Sequence, residues 1–167
     1  MISVSELRRV LDYDPATGIF RWKIIVGNNV SRHYPGEVAG APRNLNGYVQ
    51  IGVNRTRYYA HRLAWFYIHG RWPVNIDHRD RNKQNNSIGN LREASVSQNG
   101  GNRGAQKNSK LGLKGVRKRI RGTNRYEARI TKDGAHILIG YFPTAEQAHA
   151  AYLKAANQYY GEFASGK

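Results

Sequence analysis

The sequence predicts an α+β protein built from two small domains in series. Strand-like runs bounded by turn residues recur along the 167-residue chain, and segments with helical spacing of apolar residues separate them. Between residues 99 and 115 the composition shifts to Gly, Asn, Ser and Lys with few apolar side chains, which is typical of a linker. We therefore expect one domain at residues 1–105, a linker at 106–112 and a second domain at 113–167.

The first half is expected to contain a helix, several strands and a second helix. Apolar residues at helical spacing predict a helix over 5–11, and the Asp-Pro and Gly residues that follow indicate a turn before a strand at 19–23. A hairpin is expected within 48–60. The aromatic-rich run 61–69 then predicts a helix that ends at Gly70.

The second half has a different pattern. Three strand-like runs lie at 115–121, 126–131 and 136–142. Asp133-Gly134 joins the last two runs and is a strong hairpin signal. Thr144 is placed to cap a helix, with Gln147 three residues later as in a capping box. Ala and Tyr residues recur along that helix every three or four positions, which gives it one face to lay on a small sheet.

The charge balance indicates a polyanionic partner. The chain has 27 Lys and Arg against 11 Asp and Glu, a formal charge of +16, and such a protein concentrates polyanions around itself. Nucleic acid is the leading expectation and an anionic membrane surface the lesser one. No apolar stretch approaches the roughly 20 residues that span a bilayer, and the N-terminus lacks the apolar block of a signal peptide. We expect a soluble protein of the cytoplasm, in a bacterial or phage-infected host cell.

The absence of cysteine narrows the possible chemistry. It excludes disulfides, thiol catalysis and cysteine-rich zinc sites. Any metal ion must therefore be held by oxygen or imidazole ligands. A carboxylate and amide set favours one divalent cation, Mg²⁺ or Mn²⁺.

Residues 75–99 contain groups suited to phosphodiester hydrolysis. That reaction needs a base for water, a cation near the phosphate and rigid placement of both. His78 is the natural base because its ordinary pKa of about 6.5 lies close to cellular pH. Asp77 precedes it in a strand and points to the opposite side, where a carboxylate could bind a hard cation.

The same stretch resembles the HNH endonuclease family, whose ββα-metal fold holds a base histidine at the end of its first strand. The matching positions are Asp77-His78, then Asn90 in Asn-Leu-Arg, then Asn99 nine residues later. The resemblance implies that His78 is the general base and that Asn90 orients its ring. It also implies that Asp77 and Asn99 bind the metal. Many members have His where this chain has Asn99, which puts metal preference in question.

The residues around this motif also look like phage and intron-borne members of the family. They include the Asn85-Asn86 turn and the segment that begins with His61-Arg62. A homing-type or phage-encoded endonuclease is therefore the expected kind. We interpret His61 as a structural hydrogen-bonding residue, with contact to phosphate as the alternative.

The second domain carries an unbalanced run of cations. No acidic residue occurs from Ala94 to Tyr126. In a strand that begins at 115, Arg117, Arg119 and Arg121 alternate and so share one face. A row of guanidinium groups on a β-ribbon suits the DNA major groove, whereas the alternative is a merely solvated charged face.

Residues 113–163 are similar to the DNA-binding domain of plant ethylene-response factors, the APETALA type. Leu-Lys-Gly-Val-Arg at 113–117 and Gly-Tyr-Phe at 140–142 carry the resemblance. It implies a three-stranded antiparallel sheet packed on one helix, with DNA-contacting residues at Lys114, Arg117, Arg119 and Arg129. Two tryptophans of the plant domain are absent, and Arg121 and Leu138 stand nearby instead. The target sequence therefore does not carry over.

The combined prediction is a metal-dependent endonuclease that acts on double-stranded DNA as a monomer, with site binding aided by the second domain. One alternative is a DNA-binding regulator with an inactive nuclease domain. Another is a protein that binds or cuts RNA, for which Tyr126 and Tyr141 are candidate base-stacking residues.

Overall fold

The computed structural model divides into two compact units, Met1–Glu93 and Ala94–Lys167. The first unit therefore ends before the expected domain end at residue 105, and residues 94–105 belong to the second unit. The domain boundaries given above stay a prediction. The structure describes residues 2–27, 32–42, 46–106, 109–119 and 126–165.

The first unit begins with a capped helix and a hairpin. Ser3 accepts a hydrogen bond from the backbone N–H of Glu6 and so caps helix α1, Val4–Val10. Strands β1, Leu11–Asp14, and β2, Ile19–Trp22, follow and pair in antiparallel fashion. The helix and strand expected here are confirmed to within one residue at each end.

Short antiparallel strands come next. Strands β3 and β4 pair with each other, and strands β5, β6 and β7 form a three-stranded sheet in that order. Their ranges are Val26–Gly27, Arg32–His33, Ala41–Pro42, Val49–Val53 and Thr56–Tyr59.

The β6–β7 hairpin leads directly into helix α2, Ala60–His69. Asn54 and Arg55 turn the hairpin with φ angles of 49° and 62°, as a two-residue hairpin loop of the primed type requires. Gly70 ends the helix in the left-handed region at φ 71°, and its N–H donates to the carbonyl oxygen of Phe66. The expected end of this helix is confirmed.

Strand β8, Ile76–His78, pairs with strand β9, Leu91–Glu93, at the end of the first unit. A loop and a short 3₁₀ turn, Ile88–Asn90, connect them. The register places Asp77 opposite Arg92. The unit's apolar core includes Leu7, Leu11, Phe20, Ile51, Leu63 and Leu91.

Among its described residues, the second unit holds two α-helices, a 3₁₀ helix at Gly161–Phe163 and a three-stranded antiparallel sheet, ordered β10-β11-β12. Ser95 and Gln98 form a reciprocal capping box at the start of helix α3. Among the described residues, no helix has the length and apolar character needed to cross a bilayer. The elements are α3, Val96–Asn102; β10, Val116–Lys118; β11, Tyr126–Lys132; β12, Ala135–Phe142; and α4, Ala145–Tyr160.

Helix α4 covers one face of that sheet. Its residues Tyr152 and Ala156 are buried in one cluster with Ile130 of β11. The β11–β12 hairpin turns through Asp133 and Gly134, whose φ angles are 49° and 84°, as the sequence predicts. Thr144 caps α4 by accepting a hydrogen bond from the backbone N–H of Gln147. The expected α+β class with small antiparallel sheets is confirmed.

Helix α3 is fastened inside the second unit by several contacts. A Cβ atom on Gly101 would lie 2.7 Å from Cγ of Tyr160, so only glycine allows this approach. The hydroxyl of Ser97 accepts a hydrogen bond of 3.0 Å from the backbone N–H of Asp133. The ammonium group of Lys114 donates to the carbonyl oxygen of Gly101. The helix therefore depends on the sheet and on α4 for its placement.

Candidate active site

His78 lies at the end of β8 with only 5% of its surface exposed. Its Nε2 atom is 3.3 Å from Oδ1 of Asn86. Burial lowers the pKa of His78 below its ordinary value, and the contact with Asn86 offsets part of that effect. The ring is therefore uncharged near pH 7, which is the state that can accept a proton.

The amide beside the His78 ring belongs to Asn86, whereas the sequence pointed to Asn90. The Asn90 side chain instead binds the connecting loop. Its Oδ1 accepts from the backbone N–H of Asp80 at 3.0 Å, and its Nδ2 donates to Asp80 Oδ1 at 2.9 Å and to the Asn85 carbonyl at 2.8 Å. Asn90 thus stabilises the loop that carries Asn86, and it is the Asn86 side chain that contacts the His78 ring.

Contacts from the β1–β2 hairpin hold Asn86 in place. The hydroxyl of Tyr13 donates a 2.8 Å hydrogen bond to the Asn86 carbonyl oxygen. Burial raises the pKa of Tyr13 well above its ordinary value, so the hydroxyl keeps its proton. Gly18 approaches so closely that a Cβ atom there would lie 2.2 Å from the Asn86 carbonyl carbon. These contacts were not predicted from the sequence, because they join residues that are distant along the chain.

Asp77 is buried and forms an ion pair with Arg92. The Nε and Nη2 atoms of Arg92 lie 2.9 Å and 2.8 Å from its Oδ2. Both side chains are less than 10% exposed. The pairing follows from the strand register, which places the two residues opposite each other. It fixes the carboxylate that the sequence predicts as a metal ligand.

A carboxylate such as Asp77 is a ligand type that hard cations prefer, and its Oδ2 atom already accepts hydrogen bonds from Arg92. Among the described residues, no group of three His, Cys, Asp or Glu side chains gathers to hold a metal ion. A cation bound by the Asp77 carboxylate would therefore take its other oxygen ligands from amides, water or phosphate. Mg²⁺ commonly binds in this way, through one or two carboxylates plus substrate phosphates.

Two aromatic rings lie against His78, and a third stacks on one of them. The ring of His61 meets it edge to face, with 5.2 Å between centroids. Tyr48 lies 5.9 Å from His78 and 4.9 Å from His61, and Tyr59 stacks on His61 at 5.5 Å. The ammonium group of Lys83 lies 4.6 Å from the centre of the Tyr48 ring. A basic side chain is thus close to the candidate base.

The remaining predicted metal ligand, Asn99, lies on α3 in the second unit. It is partly buried, and its backbone N–H donates to the carbonyl oxygen of Ser95. The first unit brings together Asp77, His78 and Asn90. The role of each as a functional residue stays a prediction.

The predicted DNA-contacting residues divide into two groups. Arg117 and Arg129 are exposed and share one face of the sheet, and Arg119 lies with its guanidinium 4.4 Å from the centre of the Tyr141 ring. Lys114 differs, because its ammonium group donates to α3 carbonyl oxygens. Arg121 falls outside the described residues.

A buried carboxylate lies within the row of cations. Glu127 is 6% exposed, pairs in register with Arg117 and lies 2.5 Å from Nε of Arg129. Glu127 therefore neutralises part of the positive charge of this sheet face. The run of residues 94–126 without acids ends one residue before Glu127, so the charge pattern did not predict this contact.

Comparisons with known proteins cover the segment that contains Asp77, His78 and Asn90. Residues 58–100 match the family described as HNH endonuclease. A protein of Acanthamoeba polyphaga mimivirus, described as an uncharacterized HNH endonuclease, is 39% identical over 108 residues, which are 63% of this chain and 54% of that protein. The chain therefore spans about half the length of that relative. The prediction of an HNH endonuclease segment is confirmed.

A second relative matches only a part of the chain. The Arabidopsis thaliana dehydration-responsive element-binding protein 2A is 40% identical over 62 residues, which are 37% of this chain and 18% of that protein. This gives modest support to the resemblance of the second half to a plant DNA-binding domain. A comparison with solved structures gave no match.

Proposed function

We propose that the protein is a metal-dependent HNH endonuclease that hydrolyses phosphodiester bonds of double-stranded DNA. One observation carries the proposal. Within the segment that matches the HNH endonuclease family, a buried and uncharged imidazole, His78, ends a strand with its Nε2 atom next to an asparagine amide. The homing or phage-encoded type, and action in the cytoplasm of a bacterial or infected host cell, follow from the resemblance and belong to the proposal.

His78 is the proposed general base. It takes a proton from a water molecule whose oxygen attacks the phosphorus atom, and the bond between phosphorus and the leaving oxygen breaks. Asn86 holds the ring through its 3.3 Å contact with Nε2. Asn90 supports this arrangement through the loop, because its amide binds Asp80 and Asn85.

Asp77 and Asn99 are the proposed ligands of one divalent cation, Mg²⁺ or Mn²⁺. When bound, the cation neutralises negative charge that develops on the phosphate. Arg92 fixes the position of the Asp77 carboxylate, since its guanidinium donates to Oδ2. Strand β8, strand β9 and helix α3 follow one another along the chain, and this order supports the ββα-metal arrangement.

The second unit is proposed to bind DNA through the exposed sheet face that carries Arg117, Arg119 and Arg129, with Arg121 as a further contact. Guanidinium groups can bind guanine edges and phosphates of the major groove, and the partial match to the plant protein supports this role. The protein is proposed to act as a monomer and to prefer certain sites.

The test is nicking of supercoiled plasmid in Mg²⁺ or Mn²⁺, with wild-type protein compared with His78→Ala. We expect the variant to lose about 10²- to 10⁴-fold in rate, the usual contribution of a general base, while its affinity for DNA persists. His69→Ala is a matched control, because His69 is an exposed histidine at the end of α2.

Two outcomes would favour other functions. Equal inactivity of wild type and His78→Ala, with DNA binding intact, would favour a DNA-binding regulator. Preferential binding of structured RNA over duplex DNA in a competition assay would favour an RNA-directed protein.

A further inference from the structure

His61 opens helix α2 and lies against the candidate base. Its side chain is 9% exposed, and its ring contacts His78 edge to face at 5.2 Å between centroids. Tyr48 and Tyr59 pack against the same ring at 4.9 Å and 5.5 Å. Three aromatic neighbours therefore fix the position of a residue to which the sequence assigned a structural hydrogen bond.

The ring nitrogens of His61 form no such bond. Within the described part of the chain, neither nitrogen has a hydrogen-bond partner, and Nδ1 is enclosed as well. A buried polar atom without a partner costs about 1–3 kcal/mol, so such an atom calls for an explanation. Nε2 is not among the enclosed unpaired atoms of the described residues, so it is the less enclosed of the two ring nitrogens.

The proton of the neutral ring can be assigned from this difference. Burial lowers the pKa of His61 to about 3, with His78 and Arg62 adding to the effect, so the ring is uncharged near pH 7. A neutral imidazole has one N–H donor and one bare acceptor. Enclosed N–H groups without partners are rarer than enclosed acceptors without partners. By the same reasoning the tautomer with its proton on Nε2 is favoured, and Nδ1 is then the enclosed acceptor.

We propose that His61 is a second catalytic imidazole, whose Nε2–H group donates a hydrogen bond to a non-bridging oxygen of the scissile phosphate beside His78. This inference rests on the proposed nuclease function. The donor is neutral, so it adds no positive charge beside the base. Its position is set in advance by Tyr48, Tyr59 and the start of α2, and such prearranged donors lower the barrier most.

The experiment uses the full-length protein with His61→Phe and His61→Gln. Phenylalanine keeps an aromatic ring for Tyr59 to stack on but removes both nitrogens, whereas glutamine retains an N–H donor. In single-turnover nicking of supercoiled plasmid with Mg²⁺, we expect His61→Phe to lose at least ~10-fold in rate, with DNA affinity unchanged. We expect the rate of His61→Gln to lie between those of wild type and His61→Phe.

Two control variants separate failure of this inference from failure of the proposed function. His69→Phe makes the same change on the same helix at an exposed position and should nick as wild type does. If His78→Ala is inactive while His61→Phe nicks within about twofold of wild type, the inference is overturned. It is also overturned if His61→Phe is faster than His61→Gln, because ring packing alone would then suffice.

A readout without cleavage covers the case in which wild-type protein does not nick. In EDTA, ring ¹⁵N signals of His61 are followed by NMR as a short DNA duplex is added. We expect the Nε2 signal of His61 to shift on binding. A saturated complex in which the His78 signals move and those of His61 do not would overturn the proposal, whatever the nicking assay shows.

Discussion

The two units of the molecule use polar side chains in opposite ways. The first unit, Met1–Glu93, buries polar groups next to one another around His78, including Asp77, Asn86 and Arg92. The second unit, Ala94–Lys167, displays Arg117 and Arg129 on an exposed sheet face. The difference fits the two tasks proposed above, because a reacting group needs fixed partners away from water, whereas attraction to DNA needs accessible cations.

This contrast predicts different costs for removing a charge. A buried charge that loses its partner is not stabilised by solvent, so removal of the partner should lower the free energy of unfolding. An exposed cation that is removed should leave the fold intact and change the salt dependence of DNA binding. Variants in each unit therefore test whether burial or exposure decides the cost of losing a charge.

The largest expected effect on stability comes from Arg92→Met in the first unit. The change leaves the buried Asp77 carboxylate without the guanidinium that now donates to it at 2.9 Å. We expect the free energy of unfolding to fall by about 3–5 kcal/mol, the usual cost of breaking a buried ion pair. Urea denaturation followed by tryptophan fluorescence measures it.

Neighbouring residues supply the controls for that prediction. Arg71→Met breaks the exposed pair with Glu93 and should change stability little, because solvent screens such pairs. Adding Asp77→Asn to Arg92→Met removes the buried charge and should restore much of the lost stability. If Arg92→Met is as stable as Arg71→Met, burial is not what distinguishes the two ion pairs.

The next effect concerns two adjacent glycines of α3, for which we expect opposite signs. Ala at position 101 would place a Cβ atom 2.7 Å from the Tyr160 ring, so Gly101→Ala should destabilise the second unit by about 1–3 kcal/mol. Gly100 has open space around its Cβ position, so Gly100→Ala should stabilise the helix by up to about 1 kcal/mol. Thermal unfolding followed by circular dichroism compares the two variants. Stabilisation by both would contradict the contact with Tyr160.

The smallest expected effect lies on the exposed sheet face and concerns DNA binding. Arg117→Met should lower the slope of log affinity against log salt by about 0.9 if the side chain neutralises one phosphate, with the fold unchanged. Lys114→Met should leave the slope unchanged, because that ammonium group binds α3 carbonyl oxygens. Binding to duplex DNA at several salt concentrations measures both. Equal slopes for the two variants would mean that exposure does not identify the DNA contacts.

Local signals in the sequence were sufficient for much of the fold. Asp133-Gly134 predicted the β11–β12 hairpin, and Thr144 predicted the start of α4, because turns and caps depend on residues close in sequence. The end of α2 at Gly70 could also be predicted from local sequence. The domain division at Glu93 was not, since it depends on which long-range contacts helix α3 makes.

The candidate site was predictable where residue type and position in a strand sufficed. The sequence singled out Asp77 and His78 through their chemistry and the resemblance of residues 77–99 to the HNH family, and the structure places both in strand β8. Their catalytic roles stay a prediction. Asn86 was missed because its contact with His78 depends on the path of the connecting loop. Arg92 was missed because only the strand register places it opposite Asp77.

The close approach of Gly101 to Tyr160 has a consequence for protein engineering. A chimera designed to change DNA specificity and joined at residue 105 would cut α3 away from the aromatic ring it packs on. A junction after Glu93 would transfer the helix together with its support. The exchanged segment must therefore start before α3, and a donor sequence must supply a glycine at position 101 together with Asn99, the proposed metal ligand.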